Sequence, residues 1–148
     1  MSVSPLRLKN LNAAPVQPGR QHVVYWMTAN RRTTWNHALD RALEHAAALD
    51  KPLVVVEALR AGHRWACDRF HAFVVDGMAD NAAAFDAANI RYHPYVEPAP
   101  GAGKGLIEAR AQDACVVVTD DWPCFFVPKM KAALAARGAL TSAVPVAP

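Results

Sequence analysis

Three short stretches of this chain are apolar from end to end. They are Val23-Val24-Tyr25-Trp26-Met27, Leu53-Val54-Val55-Val56, and Cys115-Val116-Val117-Val118 within Ala114–Thr119. A strand with one face in water alternates apolar and polar residues. A run without alternation must be covered on both faces, as in a parallel sheet flanked by helices. The segments between the runs carry the helical period. After the first run, Trp35, Ala38, Leu39, Ala42, Leu43, Ala46 and Leu49 recur close to every 3.6 residues. Thr33 or Thr34 is placed to cap that helix, and Lys51-Pro52 stops it. A long helix is expected from about Arg64 to Ala88, with Phe70, Phe73, Val74, Gly77, Met78 and Phe85 on its inner side. Ile90–Val96 reads as a weaker strand, because it contains Arg91, His93 and Pro94. Lys104–Gln112 reads as a short helix. Phe126–Arg137 reads as a final one, with Pro128 in its first turn and Gly138 as its C-cap.

Strand and helix alternate throughout, which predicts an α/β fold. The expected form is a three-layer, Rossmann-like open parallel sheet of about five strands, at most five positions, with the three apolar runs in the centre. A length of 148 residues fits one domain. Residues 1–21 read as an irregular lead, 22–138 as the domain, and 139–148 as a proline-containing tail. At 53% apolar and 20% charged residues the chain is not of the disordered class. It has no apolar run of membrane-spanning length and no signal-peptide pattern, so a cytoplasmic location without a membrane partner is expected. Cys67, Cys115 and Cys124 fit no disulfide framework. The net charge of +3 divides unevenly. Residues 1–39 hold five bases and no acid, and the remainder holds 11 bases and 13 acids. Five charges over that lead do not make a nucleic-acid stripe, so DNA is expected to be met only indirectly.

Open parallel sheets bind ligands beyond the carboxyl ends of their strands, where strand order reverses. Here those ends are Met27–Arg32, Glu57–Arg60 and Thr119–Trp122. The candidate cofactor-binding residues are therefore Met27, Arg31, Arg32, Glu57, Asp120, Asp121 and Trp122. Arg31 and Arg32 offer forked donors for a phosphate or an acidic tail. Asp120-Asp121 either caps the next element or holds a metal or a ribose. Trp26 and Trp122 either stack on a flat ring or pack into the core. Several familiar sites are missing. Pro100-Gly101-Ala102-Gly103-Lys104-Gly105 lacks the first glycine and the hydroxyl residue of a phosphate loop, and no G-x-G-x-x-G follows the first strand. His63, Cys67 and His71 would spread over about 12 Å of helix, too far for one ion. Serines occur only at positions 2, 4 and 142, so there is no nucleophile elbow. No catalytic or metal-binding residue is expected.

From Val24 to Leu39 the sequence reads Val24-Tyr25-Trp26-Met27-Thr28-Ala29-Asn30-Arg31-Arg32-Thr33-Thr34-Trp35-Asn36-His37-Ala38-Leu39. It resembles the opening of DNA photolyases, above all class II cyclobutane pyrimidine dimer photolyases, whose first strand reads V-Y-W-M and leads through Arg to D-N-W-A-L. Tyr25, Trp26, Met27, Arg32, Asn36, Ala38 and Leu39 match. Trp35 stands where the family has Asp, and His37 where it has Trp. Lys51–Val56, Arg69-Phe70-His71-Ala72-Phe73 and Val117–Phe126 extend the resemblance over about residues 22–137. The resemblance adds Asn36 to the candidate site. It implies the N-terminal α/β domain of a two-part protein, able to hold an antenna pigment (a deazaflavin, FMN or folate). The FAD-binding helical domain, which splits pyrimidine dimers by photoinduced electron transfer, has no counterpart in this chain. FAD is expected only if such a domain is supplied in cis or in trans. The expected role is light harvesting in support of a deoxyribodipyrimidine photo-lyase, with no catalysis by this chain alone. The rival reading is a small nucleotide-binding or stress-type α/β module, or a truncated remnant without ligand.

Overall fold

The computed structural model of the protein describes residues 3–124, 127–136 and 141–145. Its elements run in the order β1 (Lys9–Asn10), β2 (His22–Met27), α1 (His37–Leu49), β3 (Leu53–Leu59), α2 (Asp68–Ala87), β4 (Arg91–Val96), α3 (Leu106–Ala111), β5 (Ala114–Asp121), α4 (Val127–Ala135) and β6 (Thr141–Pro145). They build a single sheet in the order β1-β6-β5-β2-β3-β4. β6, β5, β2, β3 and β4 are parallel, and β1 closes one edge antiparallel to β6. The three apolar runs are the interior strands β5, β2 and β3, as their composition demands.

Side chains alternate across each strand and so fill two separate cores. Val23, Tyr25, Met27, Leu53, Val55, Val116 and Val118 face Ala38, Leu39 and Ala42 of α1 and Phe85 of α2. Val24, Trp26, Val54, Val56 and Val117 face Ile107 and Ala111 of α3 and Leu134 of α4. The expected three layers are therefore present. Pro94 sits in β4, the sheet's outer strand on that side, where an absent N–H costs nothing.

Four expectations need correction. The sheet has six positions, not five at most, because the segments read as lead and tail both contribute strands. The lead is not irregular throughout: Val3 is buried, and its N–H donates to Glu44 Oε1 at 2.6 Å. Pro5–Arg7 forms a 3-10 turn before β1. Neither segment has a periodic pattern of its own; pairing with a neighbour makes each a strand. The cap of α1 is Asn36, not a threonine. Its Oδ1 accepts the Leu39 N–H at 3.0 Å, and Trp35 stands outside the helix at φ 52°, fully in solvent. Finally, α2 begins at Asp68, and Phe70 and Phe73 are exposed while Met78 and Phe85 are buried. Twenty helical residues span about 30 Å, longer than a six-residue strand at about 20 Å, so only the later turns of α2 lie over the sheet. The expected C-cap Gly138, with Phe126 and Arg137, lies outside the described residues.

Phe85 is buried and stacks on Tyr92 with ring centroids 5.2 Å apart, locking α2 to the outer strand. Phe85→Ala is expected to lower unfolding stability by about 3–5 kcal/mol, read from urea denaturation. A loss below about 1 kcal/mol would show that α2 is not anchored there.

Candidate functional site

The strand order reverses between β2 and β5, and the loop leaving β2 turns over that point. Asp120, at the end of β5, is fully buried beneath it. Its Oδ2 accepts three consecutive backbone N–H groups, from Thr28 and Ala29 at 2.8 Å and from Asn30 at 3.1 Å. The Thr28 hydroxyl adds a fourth donor to the same oxygen at 3.3 Å. Oδ1 accepts the Tyr25 phenol at 3.0 Å. A loop whose successive amides converge in this way forms an anion-binding concavity, and here the anion is the chain's own carboxylate. Burial and the Asp120 charge push the Tyr25 phenol well up, so it remains a donor. Asn36 Nδ2 donates to Tyr25 Oη, to the Asn30 carbonyl and to the Arg32 carbonyl at 2.9, 3.1 and 2.9 Å, so loop and helix cap form one network.

A second network lies under β3. Glu57 is fully buried. Its Oε1 accepts Arg31 Nη1 at 2.9 Å, and its Oε2 accepts Asn81 Nδ2 at 2.9 Å and the Tyr92 hydroxyl at 2.7 Å. Arg31 Nη2 donates onward to the Ala58 carbonyl at 2.8 Å. Burial, then the bond to Glu57, raises the Tyr92 phenol, which keeps its proton.

A third carboxylate holds the glycine-rich loop. Glu97, just past β4, accepts the amides of Gly101 and Gly103 on Oε1 at 2.9 and 3.1 Å, and that of Ala61 on Oε2 at 2.9 Å. The Gly103 amide foremost, with those of Ala61, Gly101 and Gly62, holds the Glu97 carboxyl below the usual carboxylate range against the opposing effect of partial burial. The glycine-rich loop is thus pinned at the amides of Gly101 and Gly103.

Above these networks opens a cavity of about 730 Å³. Trp26 and Met27 line its sheet side, Ile107, Met130 and Leu134 one wall, and Trp65 and Phe70 the side toward α2. Arg31, Arg60, Lys104, Glu97 and Glu108 supply its charged lining. This is the size and character of a small-molecule site. Of the eight candidate residues, Met27 and Arg31 line it. The others lie around it in other settings. Arg32 donates to the Trp35 carbonyl at 3.2 Å, and Asn36, Glu57 and Asp120 are buried in the networks below. Asp121 pairs with the nearly buried Lys131 of α4, whose ammonium burial pushes down. Trp122 is partly exposed outside the cavity. The ligand edge beside Met27–Arg32 and Glu57–Leu59 is therefore part of the cavity, and Asp120–Trp122 is not. Sequence reasoning did not find Glu97, though an acid between a strand end and a glycine-rich loop is a readable sign of an internal anion. Among the described residues no cluster of His, Cys, Asp or Glu is placed to hold a metal, and no helix is long and apolar enough to cross a membrane.

Over 114 residues the chain is 34% identical to the deoxyribodipyrimidine photo-lyase of Methanothermobacter thermautotrophicus. The chain is photolyase-related over that stretch. The aligned part is 77% of this chain and 25% of the relative, so the chain spans about a quarter of that protein's length. No family model matches the chain. Solved structures with a similar fold include a universal stress protein from Pseudomonas aeruginosa, at TM-score 0.58 and 14% identity over 89% of this chain and 50% of that one. Another from Archaeoglobus fulgidus has TM-score 0.53 and 16% identity, covering 85% of this chain and 98% of that one. These likenesses establish the Rossmann-like α/β architecture.

Asp120→Ala strands three amides and a phenol at the switch point. It is expected to cost at least about 3 kcal/mol in urea unfolding, since each stranded buried donor costs about 1–3 kcal/mol. A cost near zero would mean that the loop is held by other contacts. Glu97 gives a pH signature. Its folded carboxyl titrates below the unfolded value of about 4.3, so the stability it adds is present above that pH and lost as the pH falls through the folded value. At pH 7 the wild-type chain should be more stable than Glu97→Gln, with the gap closing below about pH 5. Denaturation midpoints across this range measure the gap, and a gap independent of pH would rule out a role for the charge.

Proposed function

We propose that this chain is the antenna-type α/β domain of a photolyase-like protein, and that its cavity takes a flat aromatic pigment such as a deazaflavin, FMN or folate. The observation that carries the reading is the coincidence of photolyase-related sequence with an apolar cavity at the carboxyl edge of β2 and β3. Trp26 and the apolar walls offer a face for a ring, and Arg31, held by Glu57, keeps a fixed positive charge beside it. The pigment would pass excitation to a flavin held by an FAD-binding photolyase domain, in cis or in trans, and DNA would be met through that domain. One sheet with its helices does not enclose both FAD and a flipped dinucleotide, so this chain would support repair without performing it. The architecture shared with universal stress proteins fits the rival, a small nucleotide-binding or stress-type α/β module.

Titration of the purified chain with a deazaflavin, FMN and a reduced folate, followed by fluorescence polarisation, tests the reading against ATP. Saturable binding of a pigment with no binding of ATP is expected; the reverse preference would favour the nucleotide-binding module. Ala58 lines the cavity. Ala58→Trp is expected to weaken pigment binding at least about tenfold by filling ring space, with circular dichroism unchanged. Splitting of thymine dimers by the isolated chain under blue light, with FAD added, would overturn the supporting role.

A further inference from the structure

We propose that Glu97 closes the glycine-loop cradle of the cavity to phosphate, so that the site selects a ligand recognised by its ring and not by a loop-bound phosphate. In α/β proteins a phosphate at this edge is held by converging backbone amides. Among the described residues, two such sets of amides converge on a carboxylate. Those of residues 28–30 are filled by the buried Asp120, and those of Ala61, Gly101 and Gly103 by Glu97. The backbone that carries Glu97 is held in place. Its own N–H donates to the Leu59 carbonyl at 2.9 Å, extending the β3–β4 pairing by one residue. The loops around it are also tightly apposed. A Cβ at Gly62 would meet Pro100 Cβ at 2.9 Å, and one at Gly103 would meet Tyr95 Cε1 at 3.0 Å. A phosphate would have to displace a carboxylate already bonded to three amides, with the loop closely packed at Gly62 and Gly103. The carboxylate is an internal stand-in for the anion such a loop would otherwise take. Naming the ligand class rests on the antenna reading; the closure of the cradle does not.

The test uses the whole chain and two probes. In the first arm, inorganic phosphate is titrated at neutral pH while the backbone amides of Ala61, Gly101 and Gly103 are followed by NMR. In the wild type these amides should not move. In Glu97→Ala they should shift saturably, with Glu97→Ser repeating the measurement should the alanine variant not fold. Saturable shifts in the wild type, or none in a folded variant, would overturn the proposal. In the second arm, riboflavin and FMN are compared. The wild type should bind the two within about tenfold of each other, and Glu97→Ala should gain about tenfold in favour of FMN, the range of one charged hydrogen bond. A wild-type preference for FMN well beyond tenfold would also overturn the proposal. Binding of neither flavin by the wild type would count against the antenna reading, while the phosphate arm still decides the closure.

Discussion

The carboxyl edge of this sheet depends on one buried carboxylate. Asp120 carries its charge at the point where the chain reverses its direction across the sheet, with no cation bonded to it among its hydrogen-bond partners. It remains there because five donors converge on its two oxygens. A buried charge with this many hydrogen bonds is tolerable where an unbonded one would not be. The consequence is structural. The loop after β2 cannot relax outward, so Asn30 and Arg32 present their carbonyls to Asn36, and Asn36 starts α1 where it does. Tyr25 ties that cap back to Asp120, and strand, loop and helix become one hydrogen-bonded unit.

The same device recurs at Glu97, and together the two carboxylates shape the cavity. Loops that would otherwise offer amides to a ligand are drawn tight against the protein. The remaining lining is largely apolar: Trp26, Ile107, Met130 and Leu134 beside the edge of the sheet. Arg31 is held from two sides, by Glu57 and by the Ala58 carbonyl, so its charge is fixed in place before any ligand arrives. Asn81 and Tyr92 complete the Glu57 shell from α2 and β4. A site built this way loses little conformational freedom on binding a rigid ring. That property would suit the proposed light-harvesting pigment, whose orientation would matter for energy transfer.

The apolar runs made β2, β3 and β5 legible from sequence, because only a doubly covered strand tolerates apolar side chains at every successive position. The period after β2 made α1 legible, but not its start. Threonines precede it, yet Asn36 takes the cap because the Asp120-held loop brings carbonyls within its reach. α2 shows the opposite limit. Its sequence carries Phe70 and Phe73 as though they were inward-facing, but the helix outruns the sheet and leaves them at the rim. β1 and β6 were illegible, since a two-residue strand and a segment such as Thr141–Pro145 acquire strand geometry only from a partner's open edge.

Residue identity alone determined the fold class and the central strands, since these follow from local period and from apolar content. Which side chains line the cavity at the carboxyl edge was decided by tertiary structure. Asp120, Glu57 and Arg31 all stand at strand ends, and in sequence they are equivalent candidates. Only packing turns Asp120 and Glu57 inward to satisfy amides and a guanidinium, and leaves Arg31 on the cavity wall. A carboxylate in sequence does not say whether its hydrogen-bond donors will come from a ligand or from the chain itself. Those donors are brought together by contacts between residues as far apart as 28 and 120.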